Sequence, residues 1–195
     1  MNLTAKGLAT RRRIIEGAAA EIRANGVEVL TLNDVLARTH TSKSQLFHYF
    51  PGGKEELLLA VAEREAELVL SDQQPYLGEL TSWAAWQRWR DVVVERYHRQ
   101  GQHCPLSLLM SEIGRTTPGA QAVTAALMRQ WHSEIATGIR QMQRQHKIAE
   151  HVHADVAARA LLAGIQGGVS VLLATGELSY LEDALDVGIA ALRPA

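Results

Sequence analysis

This 195-residue chain is poor in cysteine, proline and aromatic side chains, and each scarcity narrows what it can be. Its one cysteine, Cys104, rules out an intrachain disulfide, so a small cross-linked scaffold is excluded and a reducing compartment fits. The five prolines, Pro51, Pro75, Pro105, Pro118 and Pro194, all fall where the apolar periodicity breaks, so none interrupts a predicted helix. No run of 18 apolar residues is present and the N-terminus has no apolar signal core. A soluble, cytoplasmic protein with no membrane partner is therefore expected. No alternating strand pattern, internal repeat or low-complexity tract appears. There is no nucleophile-elbow serine, Walker loop or Rossmann glycine pattern, so no catalytic residue, cofactor or enzyme activity is expected. His151 and His153, with His146 near, are the only metal-like cluster. No Asp, Glu or Cys completes a tetrahedral set around them, so no metal is expected. Cys104 lacks an activating cation nearby in sequence and reads as a small buried residue.

What is present is helical periodicity and an uneven charge. Apolar residues make up 47% of the chain, enough for a real core. Residues 1–54 hold eight Lys/Arg against four Asp/Glu, whereas the remainder holds 12 against 17. A basic first third suits a polyanion and an acidic body does not. The first helix is predicted from about Gly7 to Asn25, with Ile14, Ile15, Ala18 and Ile22 as its buried stripe and Gly26 as its stop. Arg11, Arg12 and Arg13 cluster near its start; Arg11 and Arg12 are candidates for contact with a phosphate backbone.

The densest signal runs from Thr31 to Phe50. Leu32, Val35 and Leu36 share one face of a short helix. Thr31 is its candidate N-cap, and Asp34 at the third position makes an imperfect capping box. After a tight turn a second helix covers about Ser42 to Tyr49. Leu46 and Phe47 are its predicted apolar positions, with Phe50 closing the turn. Its other face carries Ser42, Lys43, Ser44, Gln45 and His48, all hydrogen-bonding types. Two short helices in this order, the second with a polar face, read as a helix-turn-helix whose second helix enters the major groove. Ser42, Ser44 and Gln45 are the candidates for base edges, with Gln45 bidentate to adenine the sharpest possibility. Thr31, Lys43, His48, Tyr49 and Lys54 are candidates for phosphate. Lys54 stands where a further helix opens and leaves free backbone N–H groups.

These residues resemble the DNA-binding domain of TetR-type bacterial repressors. The run Ser42-Lys43-Ser44-Gln45-Leu46-Phe47-His48-Tyr49-Phe50 looks like the family's recognition helix, and Lys54-Glu55-Glu56-Leu57 like the start of its fourth helix. The segment from Phe50 to Leu57 and the run Cys104-Pro105-Leu106 resemble the LmrA/YxaF-type branch. The chain departs from the family pattern in three places. Thr39-His40-Thr41 replaces the usual Ala-Gly-Val of the turn, Ser44 the usual Gly, and Phe47 the usual Tyr. Glycine serves in that turn because it tends to need positive φ, which His tolerates better than most residues.

Beyond Pro75 the chain reads as helices throughout: about Ser82–Arg99, Pro105–Gly114, Pro118–His146, Ala154–Thr175 and Ser179–Leu192. Trp86, Trp89, Arg90, Val93 and Tyr97 lie along the first of these. Leu106, Leu109, Met110 and Ile113 line the next, and Met128, Trp131, His132 and Ile135 the third. With Gln166 they are the candidate lining of a ligand pocket, since aromatic and aliphatic walls with a few polar groups are what such a pocket needs. Large residues at helical spacing are also what an ordinary core needs, and it is the resemblance that implies a cavity for a small hydrophobic or aromatic inducer. The segment from Leu161 to Val169 mixes aliphatics with small residues, including Gly167-Gly168, as a close helix–helix contact requires. The resemblance implies that the last two helices, about 154–175 and 179–192, form a homodimer.

The resulting expectation is an all-α protein. Residues 1–54 form a three-helix helix-turn-helix DNA-binding domain, residues 55–74 a connecting helix and linker, and residues 75–195 a helical ligand-binding and dimerisation domain. Its expected function is a ligand-responsive repressor that binds a palindromic operator as a homodimer, with recognition helices about 34–36 Å apart or a multiple of that. The rival readings are an enzyme or carrier built on the helical body, and an activator using the same DNA-binding head.

Overall fold

Four helix starts are closed by a hydroxyl side chain, and these caps set the layout of the chain. The computed structural model describes residues 3–101, 104 and 118–193. Among them α1 spans Ala5–Asn25, α2 Leu32–Thr39, α3 Lys43–Tyr49, α4 Lys54–Ser71, α5 Trp83–Gln100, α6 Pro118–Arg144, α7 Ala154–Thr175 and α8 Ser179–Ala190. A 3-10 turn, Leu77–Glu79, precedes α5, and the described residues contain no strand. Thr4, Thr31, Ser42 and Ser82 accept from the backbone N–H groups of Gly7, Asp34, Gln45 and Ala85, satisfying donors that a helix start leaves unpaired.

Boundaries differ from expectation where capping was misplaced. The first helix starts at Ala5 rather than Gly7, because Thr4 is its cap. The long helix from Pro118 ends at Arg144, short of His146, which adopts a left-handed φ of 56° and turns the chain out. The last helix ends at Ala190, although Leu192 beyond it stays buried. The helix expected between Pro105 and Gly114 lies outside the described residues.

The described residues pack as two units. One holds residues 3–66, Cys104 and residues 118–124; the other holds residues 67–101 and 125–193. The grouping divides α4 between Ala66 and Glu67, inside the segment that composition set apart as 55–74. The cause is packing: Leu57, Leu58, Ala60, Val61 and Ala62 of α4 are buried with Ile14, Ile15, Ala18 and Ile22 of α1, Val35 of α2, and Leu46 and Phe50. Gly17 makes the α1–α2 approach possible, since a Cβ there would lie 2.1 Å from Thr39 Cγ2. Thr39 is itself held by its hydroxyl, which donates to the Val35 carbonyl at 2.7 Å.

In the second unit Trp86 and Trp89 are fully buried and meet edge to face at 5.7 Å between centroids. The Trp89 indole N–H donates to Gln73 Oε1 at 2.7 Å. Arg90 leaves α5 to make a two-point ion pair with Asp186 of α8, both N···O distances being 2.9 Å. The pair α7 and α8 comes close at Gly168, where a Cβ would lie 2.5 Å from Leu181 Cα. That close approach is the packing reason for a glycine in a helix interior, a residue that costs about 1 kcal/mol relative to alanine. Its neighbour Gly167 faces open space.

Candidate nucleic-acid interface

The helix-turn-helix is built by local chemistry before any tertiary contact. Thr31 and Asp34 form a complete capping box: Thr31 Oγ1 accepts from the Asp34 N–H, and Asp34 Oδ2 accepts from the Thr31 N–H at 2.9 Å. The imperfection expected from Asp in place of Glu is absent, because the shorter carboxylate still reaches. Those hydrogen bonds from Thr31, hydroxyl first and N–H second, hold the Asp34 carboxyl below its ordinary pKa. The turn passes through His40 at φ 49° and ψ 43°, the left-handed conformation the sequence demanded of a non-glycine residue. Thr41 Oγ1 lies 2.8 Å from Thr39 Oγ1, whose own hydrogen goes to the Val35 carbonyl, and both residues are buried. The hydroxyl that Thr41 adds to a valine shape is therefore satisfied inside the turn.

On α3 and its C-cap the inward positions are Leu46 and Phe50, both 0% exposed. Phe47, expected to share that face, is instead 39% exposed. The reason is angular: a residue one step along a helix sits roughly 100° away, so Leu46 and Phe50 define the buried stripe and Phe47 leaves it. Its ring rests along the α3–α4 turn, 3.6 Å from where a Cβ on Gly53 would lie. Ser42, Lys43, Ser44, Gln45 and His48 are all exposed, so the short helix presents a polar surface with Phe47 beside it.

The candidate phosphate contacts divide by what the structure does with them. Thr31, Lys43 and His48 are exposed. Tyr49 is half-buried and brings its hydroxyl toward the first turn of α1, 3.5 Å from a Cβ position on Gly7. Arg12 is exposed and paired with Glu16 at 2.6 Å. Arg11 lies over the Phe50 ring, 5.3 Å from its centroid, with its charge against the core. The Lys54 ammonium donates to the Leu30 carbonyl, which ties the start of α4 to the segment before α2. Sequence reading missed that tie, since no spacing rule links positions 30 and 54. It also missed Thr4, which the N-cap preference would have found had the start of α1 been placed at Ala5.

The residues expected to line a pocket lie mostly in the second unit. Trp86, Trp89, Val93, Tyr97, Trp131 and Ile135 are buried there, while Met128, His132 and Gln166 are half-buried. Among the described residues, the indole N–H groups of Trp86 and Trp131 have no hydrogen-bond acceptor. His132 Nε2 lies 3.2 Å from the Asp155 carbonyl, and the Asp155 carboxyl is held below its ordinary pKa chiefly by its hydrogen bond from Arg140. Arg90 faces α8 through Asp186, a contact that raises its pKa. Leu106, Leu109, Met110 and Ile113 lie outside the described residues. Cys104 is buried. No group of three or more potential metal-ligating side chains occurs among the described residues.

Comparison with known proteins agrees with this geometry. Residues 14–61 match the bacterial regulatory proteins of the tetR family, and residues 83–187 match the tetracyclin repressor-like C-terminal domain. The chain is 27% identical over 174 residues to a helix-turn-helix-type transcriptional regulator of Mycobacterium tuberculosis H37Rv, covering 83% of this chain and 88% of that protein. Among solved structures, a TetR transcriptional regulator from Chloroflexus aurantiacus superposes with a TM-score of 0.79 at 23% identity, over 98% of this chain and 100% of that one. SmeT, the repressor of the Stenotrophomonas maltophilia multidrug efflux pump SmeDEF, gives 0.71 at 22% identity over 96% and 92%. A complex of SmeT with triclosan gives 0.73 at 21% identity over 95% and 92%. The three likenesses in structure establish the fold, and the two matched domains establish more than the fold. With its capped helix-turn-helix ahead of a tetracyclin repressor-like helical body, this chain belongs to the TetR family of transcriptional regulators.

Proposed function

We propose that this regulator is a ligand-responsive repressor that holds a palindromic operator as a homodimer and is released by a small hydrophobic or aromatic compound. The observation that carries the reading is the outward polar face of α3, anchored from behind by the fully buried Leu46 and Phe50. In this reading Ser42, Ser44 and Gln45 meet base edges, and Thr31, Lys43, His48 and Tyr49 meet phosphates. Arg11, Arg12 and Lys54 act near the backbone as well, each also carrying its intramolecular partner. An enzyme or carrier is set aside because both matched domains are regulatory. We assign residues 1–54 to DNA binding, 55–74 to the connection and 75–195 to ligand binding and dimerisation, in a cytoplasmic protein. The Phe50–Leu57 segment favours the LmrA/YxaF-like branch.

Two features of the body support the effector and dimer roles. Trp86 and Trp131 offer buried N–H donors that meet no acceptor among the described residues, and a buried donor left unpaired costs about 1–3 kcal/mol, which a ligand carrying an acceptor would recover. SmeT, of the same fold, forms a complex with an aromatic compound. Along α7 the exposed positions Val156, Ala160, Ala163 and Gly167 make a stripe of small and apolar residues, continued on α8 by Tyr180 and Val187. By length and composition α7 is also apolar enough to cross a membrane, as core helices can be, but it carries Asp155 and Arg159 and packs along α8. A second copy is the cover this face requires in a family of regulators. The ligand would act by binding better to a state whose reading heads are wrongly spaced.

Selection of genomic fragments by purified protein at physiological ionic strength tests the reading. Enrichment of a palindromic site, lost on adding an inducing compound, is the expected result. Affinity no higher for any genomic fragment than for random duplex overturns it, and reporter output with and without the protein separates repression from activation.

A further inference from the structure

The cap of α3 constrains what its central side chain can read. The Ser42 backbone N–H donates to Gln45 Oε1 at 3.1 Å, and Ser42 Oγ lies 3.4 Å from the same oxygen. In return the Gln45 N–H donates to Ser42 Oγ at 3.2 Å, completing the box. The two ends of a glutamine amide are alike in shape and are told apart by their partners. A backbone N–H can only donate, so the atom it meets must be the carbonyl oxygen. That oxygen is turned back to the helix start, and Gln45, which is exposed, presents its NH2 group to the outside.

Adenine shows an acceptor, N7, and a donor, N6, in the major groove, so a glutamine that reads it with two bonds needs its oxygen as well as its NH2 facing the base. Guanine shows two acceptors, N7 and O6, and no donor. We propose that Gln45 reads DNA as a donor only and selects guanine, not the adenine that its residue type alone suggests. This inference rests on α3 being the groove-reading helix.

The test is selection from a random duplex library by the wild-type protein, Gln45→Glu and Gln45→Ala at one fixed salt concentration. Glutamate keeps the cap, because its carboxylate also accepts the Ser42 N–H, but it has no donor. Wild type is expected to enrich guanine at one position of each half-site. Gln45→Glu, with unchanged melting temperature, is expected to lose that preference by about fivefold or more while neighbouring positions keep theirs. Any other base at the position that responds to Gln45 overturns the assignment, adenine above all, since it would require the cap to open on DNA. An unaltered guanine preference in both variants also overturns it and leaves Gln45 a cap alone. If no sequence is enriched by any of the three proteins, the reading of α3 itself fails, an outcome distinct from a changed base at one position.

Discussion

Lys54 shows how one side chain serves two ends. Its ammonium is anchored on the Leu30 carbonyl, yet it stands at the opening of α4, where a phosphate would also approach. Lys54→Ala is expected to lower stability by about 1 kcal/mol in thermal unfolding, from the lost hydrogen bond. It should also reduce the slope of log affinity against log salt by roughly 0.9. A lower melting temperature with an unchanged slope would confine Lys54 to packing. Asp34 gives a prediction in pH. Hydrogen bonds from Thr31 favour its charged form and lower its pKa, so its capping contribution is complete above the usual carboxylate range and is lost as pH falls through the lowered value. The Asp34 carboxyl resonance should titrate below that of an ordinary aspartate, and Thr31→Val should move it back up; no movement would show that the hydroxyl does not set it.

At the scale of helix pairs, small residues decide how closely axes approach. A methyl at Gly17 would meet the β-branched Thr39, whose hydroxyl is already committed, and one at Gly168 would meet the backbone of Leu181. Gly17→Ala and Gly168→Ala are each expected to destabilise by about 1–3 kcal/mol in chemical unfolding, the range for overpacking. Gly167→Ala, whose methyl meets nothing within the subunit, should instead follow helix propensity and gain up to about 1 kcal/mol. Equal effects at positions 167 and 168 would contradict the packing described for α7 and α8. The exposure of Phe47 belongs to this scale too, because which of two adjacent apolar residues turns inward depends on the neighbouring helices and not on their hydrophobicity.

For the whole molecule, assembly and response are the testable properties. If the open side of α7 is covered by a second copy, Gly167→Leu should leave the subunit folded but yield a monomer in sedimentation, and operator affinity should fall with it because two linked heads bind as one. A dimer unchanged by that substitution would move the interface elsewhere. Replacing Trp86 or Trp131 by phenylalanine removes a buried N–H that has no acceptor among the described residues, while keeping an aromatic ring. Operator affinity should stay the same while release by inducing compounds weakens; normal release by both variants would place the effector site away from these rings.

Most of the helix order was legible because apolar periodicity, proline and hydroxyl caps are local signals. The buried stripe of α1, the left-handed His40 and the exact extent of the Ala154–Thr175 helix follow from residues within a few positions of one another. What the amino-acid order determined by itself is thus a helical chain with a basic, capped helix-turn-helix at its front. Only the tertiary structure decided that α4 divides after Ala66, that Lys54 holds Leu30, that Arg90 holds Asp186 and that Arg11 covers Phe50. Those contacts join residues far apart in the chain, and periodicity carries no information about which distant element closes against which.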